Sequence, residues 1–217
     1  MIDKMKKEQK KRRTKQILLE HVKNNLREYA IIILIFLVGI LLGIIFINNM
    51  SQKGTEEISD YLHGFVDSLK NNYTIDKGAL LMQSIKSNMI LGVVLWFVGS
   101  TVIGMPMVYG IIGFRGFCLG YTVSSIMASL GTGSGVVFVL STILLQNILF
   151  IPCVLALAVS GMKLYQSIMK DRRRENIKIE IIRHTLFSLL VLVVLLLSSV
   201  IEVYVSTNLL MICIKYV

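Results

Sequence analysis

Between Met89 and Gly161 the chain carries a single formal charge, Arg115. A helix crosses the hydrocarbon of a bilayer with about 20 apolar residues, so a run of this length cannot be one helix and has to turn back inside the membrane. Two further apolar runs, Ala30 to Ile47 and Thr185 to Val205, flank it. Hydrophobic residues make up 54% of the chain and charged residues 17%, against roughly 25% charged in a soluble domain. The expected fold class is all-α: a polytopic integral membrane helix bundle of about five transmembrane helices, with no room left for a soluble domain.

The long run divides at its breakers. A second span is expected from Met89 to about Ile112, a third from Phe114 to Ser129 and a fourth from about Val136 to Gly161. This division puts Arg115 at a tight turn and Gly131, Gly133 and Gly135 at the next turn on the opposite side. Pro106, between Gly104 and Gly110, and Pro152 are expected to break or kink their helices, because proline lacks the backbone donor.

The formal net charge of +10 is concentrated at membrane boundaries. Ten basic residues lie in Met1 to Tyr29 and seven in Met162 to His184, a pattern that holds both segments in the cytoplasm. Without interleaved aromatics or a binding fold around them, these blocks point to membrane lipid and not to nucleic acid. The N-terminus is therefore expected inside. The segment 48–88 and the tail 206–217 are expected outside, the tail being too short to cross by itself. Leu18, Val22 and Leu26 give the leader an apolar helix face that can lie along the inner surface.

Within the outer segment, Ile58, Tyr61, Leu62, Phe65, Val66 and Leu69 follow helical spacing. A helix over Thr55 to Lys70 would carry one apolar stripe, to be covered by outer-leaflet headgroups or by a partner protein. Ile58, Leu62, Phe65 and Leu69 are the candidate partner-binding residues.

Polar residues inside the spans are the other candidates. Gln146 and Asn147 need hydrogen-bond partners at their depth, either across helices or with a substrate. Glu202 is the one acidic residue within an apolar run; both a functional role and a structural pairing are open to it. Gly39 with Gly43, and Gly116 with Gly120, have the small-xxx-small spacing of close helix packing, within one chain or in a homo-oligomer. His21, His63 and His184 all fall outside the expected spans, and no hydrolase, nucleotide-binding or zinc motif is present. No cofactor or enzyme activity is expected.

The order of features carries a resemblance. Gly104-Met105-Pro106, Arg115-Gly116-Phe117, the block Gln146-Asn147-Ile148-Leu149-Phe150-Ile151-Pro152 and the late block Ile201-Glu202-Val203-Tyr204-Val205-Ser206 make the whole chain similar to stage II sporulation protein M of endospore-forming bacteria. It departs from that pattern at Leu145 and Thr207, where members tend to carry proline. The resemblance implies a multi-pass cell-membrane protein at the sporulation septum and engulfing membrane. It also implies a noncatalytic scaffold that positions an extracytoplasmic lytic transglycosylase and an amidase/endopeptidase during forespore engulfment. The competing expectation is a small channel or transporter with Gln146, Asn147 and Glu202 along a polar path.

Overall fold

A computed structural model describes residues 25–70, 75–101, 104–170 and 174–213; the basic leader before Asn25 lies outside them. All regular structure among the described residues is helical. α1 spans Leu26–Asn48 and is followed by the amphipathic α2, Gln52–Lys70. α3 is Lys77–Gly99. Its first turn is capped by Asp76, whose carboxylate accepts from the Gly78 and Ala79 amides at 2.9 and 3.1 Å and so supplies partners that a helix start otherwise lacks.

α4 is Gly104–Leu130. A short α5, Thr132–Val139, leads through a π-helical turn, Leu140–Leu144, into α6, Leu145–Lys170. α7, Arg174–Ile201, passes through a second π turn, Glu202–Ser206, into α8, Thr207–Cys213. Five helical runs are long and apolar enough to cross a membrane: Leu26–Asn48, Lys77–Gly99, Gly104–Leu130, Asn147–Met169 and Ile177–Ile212. The all-α polytopic bundle is thus the architecture observed. Its core is formed by Ile112, Phe150, Leu157, Val159 and Leu195, with Ile32 joining from α1.

The bounds of the middle spans differ from the sequence expectation, for a physical reason. The reversal lies after Gly99, where Ser100 Oγ and Thr101 Oγ1 each bond a carbonyl of the preceding turn at 2.8 Å. The Gly104 amide then bonds the Thr101 carbonyl at 3.1 Å. A Cβ at Gly104 would sit 2.1 Å from the Val98 carbonyl oxygen, so only glycine passes. Arg115 consequently lies inside α4 and not at a turn. Pro106 falls in the first turn of α4, where its missing amide hydrogen has no helical partner to lose; it begins a helix where a break was expected. Pro152 also breaks nothing. α6 runs through it, since one lost bond is outweighed by packing on both sides.

Two other expectations shift. The tail 206–217 continues the fifth helix as far as Cys213, and Leu210 within it is buried. The inner part of the amphipathic stripe of α2 is covered by the chain itself. Val66 and Leu69 form a cluster with Ile126, Phe138 and Leu210, and Leu62 packs against it. Leu69 is only 4% exposed, so neither lipid nor a partner is needed to shield it. Tyr61, at 76%, and Phe65, at 40%, remain outside the contact.

α1 and α4 meet along a seam of glycines. A Cβ on Gly39 would approach the Gly113 carbonyl oxygen to 2.2 Å, and one on Gly43 the Phe117 oxygen to 2.3 Å. From the other side, Cβ atoms on Gly116 and Gly120 would approach the Phe36 and Ile40 oxygens to 2.3 and 2.2 Å. The two small-xxx-small pairs therefore pack against each other within one chain.

Candidate functional site

The polar residues of the spans gather where the two π turns, Leu140–Leu144 and Glu202–Ser206, pack against each other. A π turn admits one extra residue into a helix and misaligns its carbonyls, which is why such turns recur at functional positions. The first turn is supported by side chains bonding back to the carbonyls that it offsets. Thr142 Oγ1 donates to the Phe138 carbonyl at 2.6 Å, Ser141 Oγ to the same oxygen at 3.2 Å, and Asn147 Nδ2 to the Ile143 carbonyl at 2.7 Å. Asn147 thus spends an amide hydrogen on its own helix. Gln146 lies in α6, with its side chain outside the described residues.

The second turn opens at Glu202, whose carboxylate accepts a hydrogen bond from Ser84 Oγ of α3. One turn deeper along both helices, Asn88 Nδ2 donates to Ser199 Oγ at 2.8 Å. Ser199 Oγ in turn donates to the Leu195 carbonyl at 3.3 Å. Both Asn88 and Ser199 are buried. These pairs hold the first half of α3 against the last helical run. Ser84 and Asn88, which look like loop in isolation, are helical with partners on the second π turn and on α7, and a polar group without a partner is expensive in hydrocarbon.

Arg115 shares a cavity with Ile143 and Asn147 of this cluster. Its Cζ is 4.4 Å from the centroid of the Phe150 ring, an arrangement in which the guanidinium rests on the π face. Beside it is a cavity of about 170 Å³ lined by Phe36, Arg115, Cys118, Thr122, Ile143 and Asn147, among others. Among the described residues the one ion pair is Arg183 with Glu180, at 2.8 Å, so Arg115 has no carboxylate in contact.

A second polar arrangement stands near the start of α7. Gly99 and Gly161 approach so closely that a Cβ on Gly99 would sit 2.9 Å from the Gly161 Cα. His184 is buried against this crossing, its Nδ1 2.8 Å from Ser160 Oγ. The sequence placed His184 outside the spans. It is inside the bundle because α7 extends well before Thr185.

Sequence reasoning found Asn147 and Glu202 but missed Ser84, Asn88 and Ser199, and misplaced Arg115. A signal was available for α3: Ser84, Asn88 and Gly92 recur every four residues, as a polar and small stripe facing a neighbouring helix does. The candidate partner residues are divided by the fold. Leu69 and Leu62 turn inward, whereas Phe65 and the adjacent Tyr61 face outward. Next to them α2 and α4 enclose an apolar groove of about 350 Å³, lined by Glu57, Ile58, Tyr61, Leu62, Tyr121 and Ile126, among others.

A family model described as Stage II sporulation protein M matches residues 32–207. That range contains all five membrane-length helices except the short ends of the first and last. No curated protein and no solved structure matches the chain.

Proposed function

We propose a function from the premise that the chain belongs to the stage II sporulation protein M family, as the match over residues 32–207 shows, and is a sporulation-related membrane protein. Within that frame it acts as a noncatalytic scaffold. It holds peptidoglycan hydrolases, a lytic transglycosylase and an amidase/endopeptidase, against the outer membrane surface at the septum during engulfment. The orientation used is the one with the basic segments inside, which places α2 and the end of α8 outside.

The observation that carries this reading is the outer edge of α2. Its inner stripe is consumed by the bundle, which fixes the helix in place, while Tyr61 and Phe65 stay exposed beside the apolar groove against α4. Rigid aromatic side chains over a concave apolar surface are the composition from which binding hot spots are built. Glu57 lines the groove, and with the exposed Glu56 and Asp60 of the same helix it favours a basic rim on the partner.

The test is co-purification of the two hydrolases with a Tyr61→Asp/Phe65→Asp double variant from sporulating cells. Loss of both enzymes with membrane insertion intact is the expected result. Retention of both at the wild-type level would reject this surface. Leu69 is unsuitable for such a test, because a charge there would disrupt the internal cluster and not a docking face.

A further inference from the structure

Arg115 is a fixed charge at mid-membrane depth. It lies in α4, Gly104–Leu130, about 17 Å from one end of the helix and about 23 Å from the other at 1.5 Å per residue. A charge at such depth is expensive unless it meets water, a counter-charge or a partner. The chain supplies part of the compensation through the Phe150 ring at 4.4 Å. Stacking satisfies the face of a guanidinium and leaves its N–H edge to bond in the plane. No carboxylate of the described residues contacts it, and Glu202 is held by Ser84.

The cavity of about 170 Å³ lies against this charge. Its wall continues outward along α4 through Cys118 and Thr122, three and seven residues after Arg115, and across to Asn147 of α6. Thr122 is exposed on the bundle surface and also lines the groove under Tyr61, so the cavity has a way out. Small side chains at helical spacing above a cation let another helix come close. The volume takes one acidic side chain and not a second helix.

We propose that this cavity receives the carboxylate of a glutamate or aspartate carried at mid-depth by the transmembrane helix of a partner protein, with Arg115 as its counter-charge and Thr122 and Asn147 as flanking polar groups. Depth decides against the other source of an anionic group, a phospholipid phosphate. Headgroups reside at the interface, on the order of 15 Å from the centre of a hydrocarbon core about 30 Å thick, and would have to be drawn that far inward. A transmembrane helix places a carboxylate at any level its sequence dictates. The assignment concerns a different surface from the outer edge of α2 and a different class of contact, and does not depend on which hydrolases bind there.

The test uses the full-length chain in phosphatidylcholine vesicles and synthetic Leu/Ala-rich transmembrane peptides bearing one central Glu, one central Gln, or a Glu moved two turns toward either end. Binding is read by energy transfer between labelled protein and peptide. The expected result is that the wild-type chain binds the central-Glu peptide about tenfold more tightly than its Gln twin and the displaced-Glu peptides no better than Gln. Arg115→Gln should abolish the preference and Arg115→Lys keep part of it. Equal binding of the Glu and Gln twins by the wild-type chain overturns the proposal without recourse to any variant, and so does a preference that survives in Arg115→Gln. Replacing one fifth of the phosphatidylcholine by phosphatidylglycerol provides the remaining arm. If the anionic lipid removes the wild-type preference, a headgroup occupies the cavity and the helix-carboxylate assignment fails; an unchanged preference supports it.

Discussion

Gly120→Ala is the sharpest probe of what holds the bundle together. The added Cβ would lie 2.2 Å from the Ile40 carbonyl oxygen and 2.9 Å from the Ile40 Cα. Ordinary contact between such atoms is about 3.5 Å, so α1 and α4 must separate by roughly 1 Å. The obstructing atoms are backbone, and no side-chain rotation relieves the clash. A gap of that size forfeits up to about half of the dispersion attraction of each contact along the seam, and overpacking of this type costs about 1–3 kcal/mol. Gly110→Ala on the same helix is the matched control. A Cβ there meets nothing within 4 Å, so only the higher helix propensity of alanine remains, about 1 kcal/mol in the stabilising direction. Both variants share that gain, so unfolding of purified protein in mixed micelles by increasing SDS should separate them by the cost of the clash alone, about 1–3 kcal/mol, with Gly110→Ala the more resistant. Size-exclusion in mild detergent distinguishes the alternative role of the glycines. If they held a dimer, Gly120→Ala would reduce the apparent mass and leave monomer unfolding unchanged. A Gly120→Ala protein as resistant to SDS as Gly110→Ala would refute the close-packed seam.

Leu69→Ala should lower unfolding stability by about 2–4 kcal/mol, as for deletion of a buried leucine, while Phe65→Ala should change it by less than about 1 kcal/mol; SDS titration of the pair checks whether α2 is docked along its inner stripe. Pro106→Ala is expected to be neutral within about 0.5 kcal/mol, because the first turn of α4 provides no partner for the restored amide; a loss above 1 kcal/mol would contradict the observed start of the helix. Glu202→Gln retains an acceptor for Ser84 and should preserve hydrolase co-purification, whereas ion flux into proteoliposomes that vanishes in this variant would favour the channel reading over the scaffold.

Much of the bundle was legible because lipid imposes a simple rule on sequence. Residues Ala30 to Ile47 and Thr185 to Val205 lie in helices long and apolar enough to span, since an apolar run bounded by charge has few other places to go. The internal division of the central run was not legible. Ser100 and Thr101 return their hydroxyls to the preceding turn and so end a helix that their composition did not end. Arg115 resembled a boundary because its compensation, the Phe150 ring, is 35 positions away in sequence and adjacent only in space. The candidate site divided in the same way. Glu202 and Asn147 stood out as isolated polar residues in apolar surroundings, whereas Ser84 and Asn88 sat among other polar residues and had no contrast to reveal them.

By itself the sequence determined that the chain is a helical membrane protein, roughly how many times it crosses, and which family it resembles. These follow from the partition of each segment between water and hydrocarbon, a property of local composition. Tertiary structure alone decided which polar residues pair, Ser84 with Glu202 and Asn88 with Ser199. It also decided that the glycines of α1 interlock with those of α4, and that Leu62, Val66 and Leu69 of the α2 stripe pack into the bundle while Tyr61 and Phe65 stay exposed. Those outcomes depend on which helix surfaces meet. Inside a membrane that choice is made by shape and hydrogen bonding between segments distant along the chain, since the hydrophobic effect no longer distinguishes one apolar face from another.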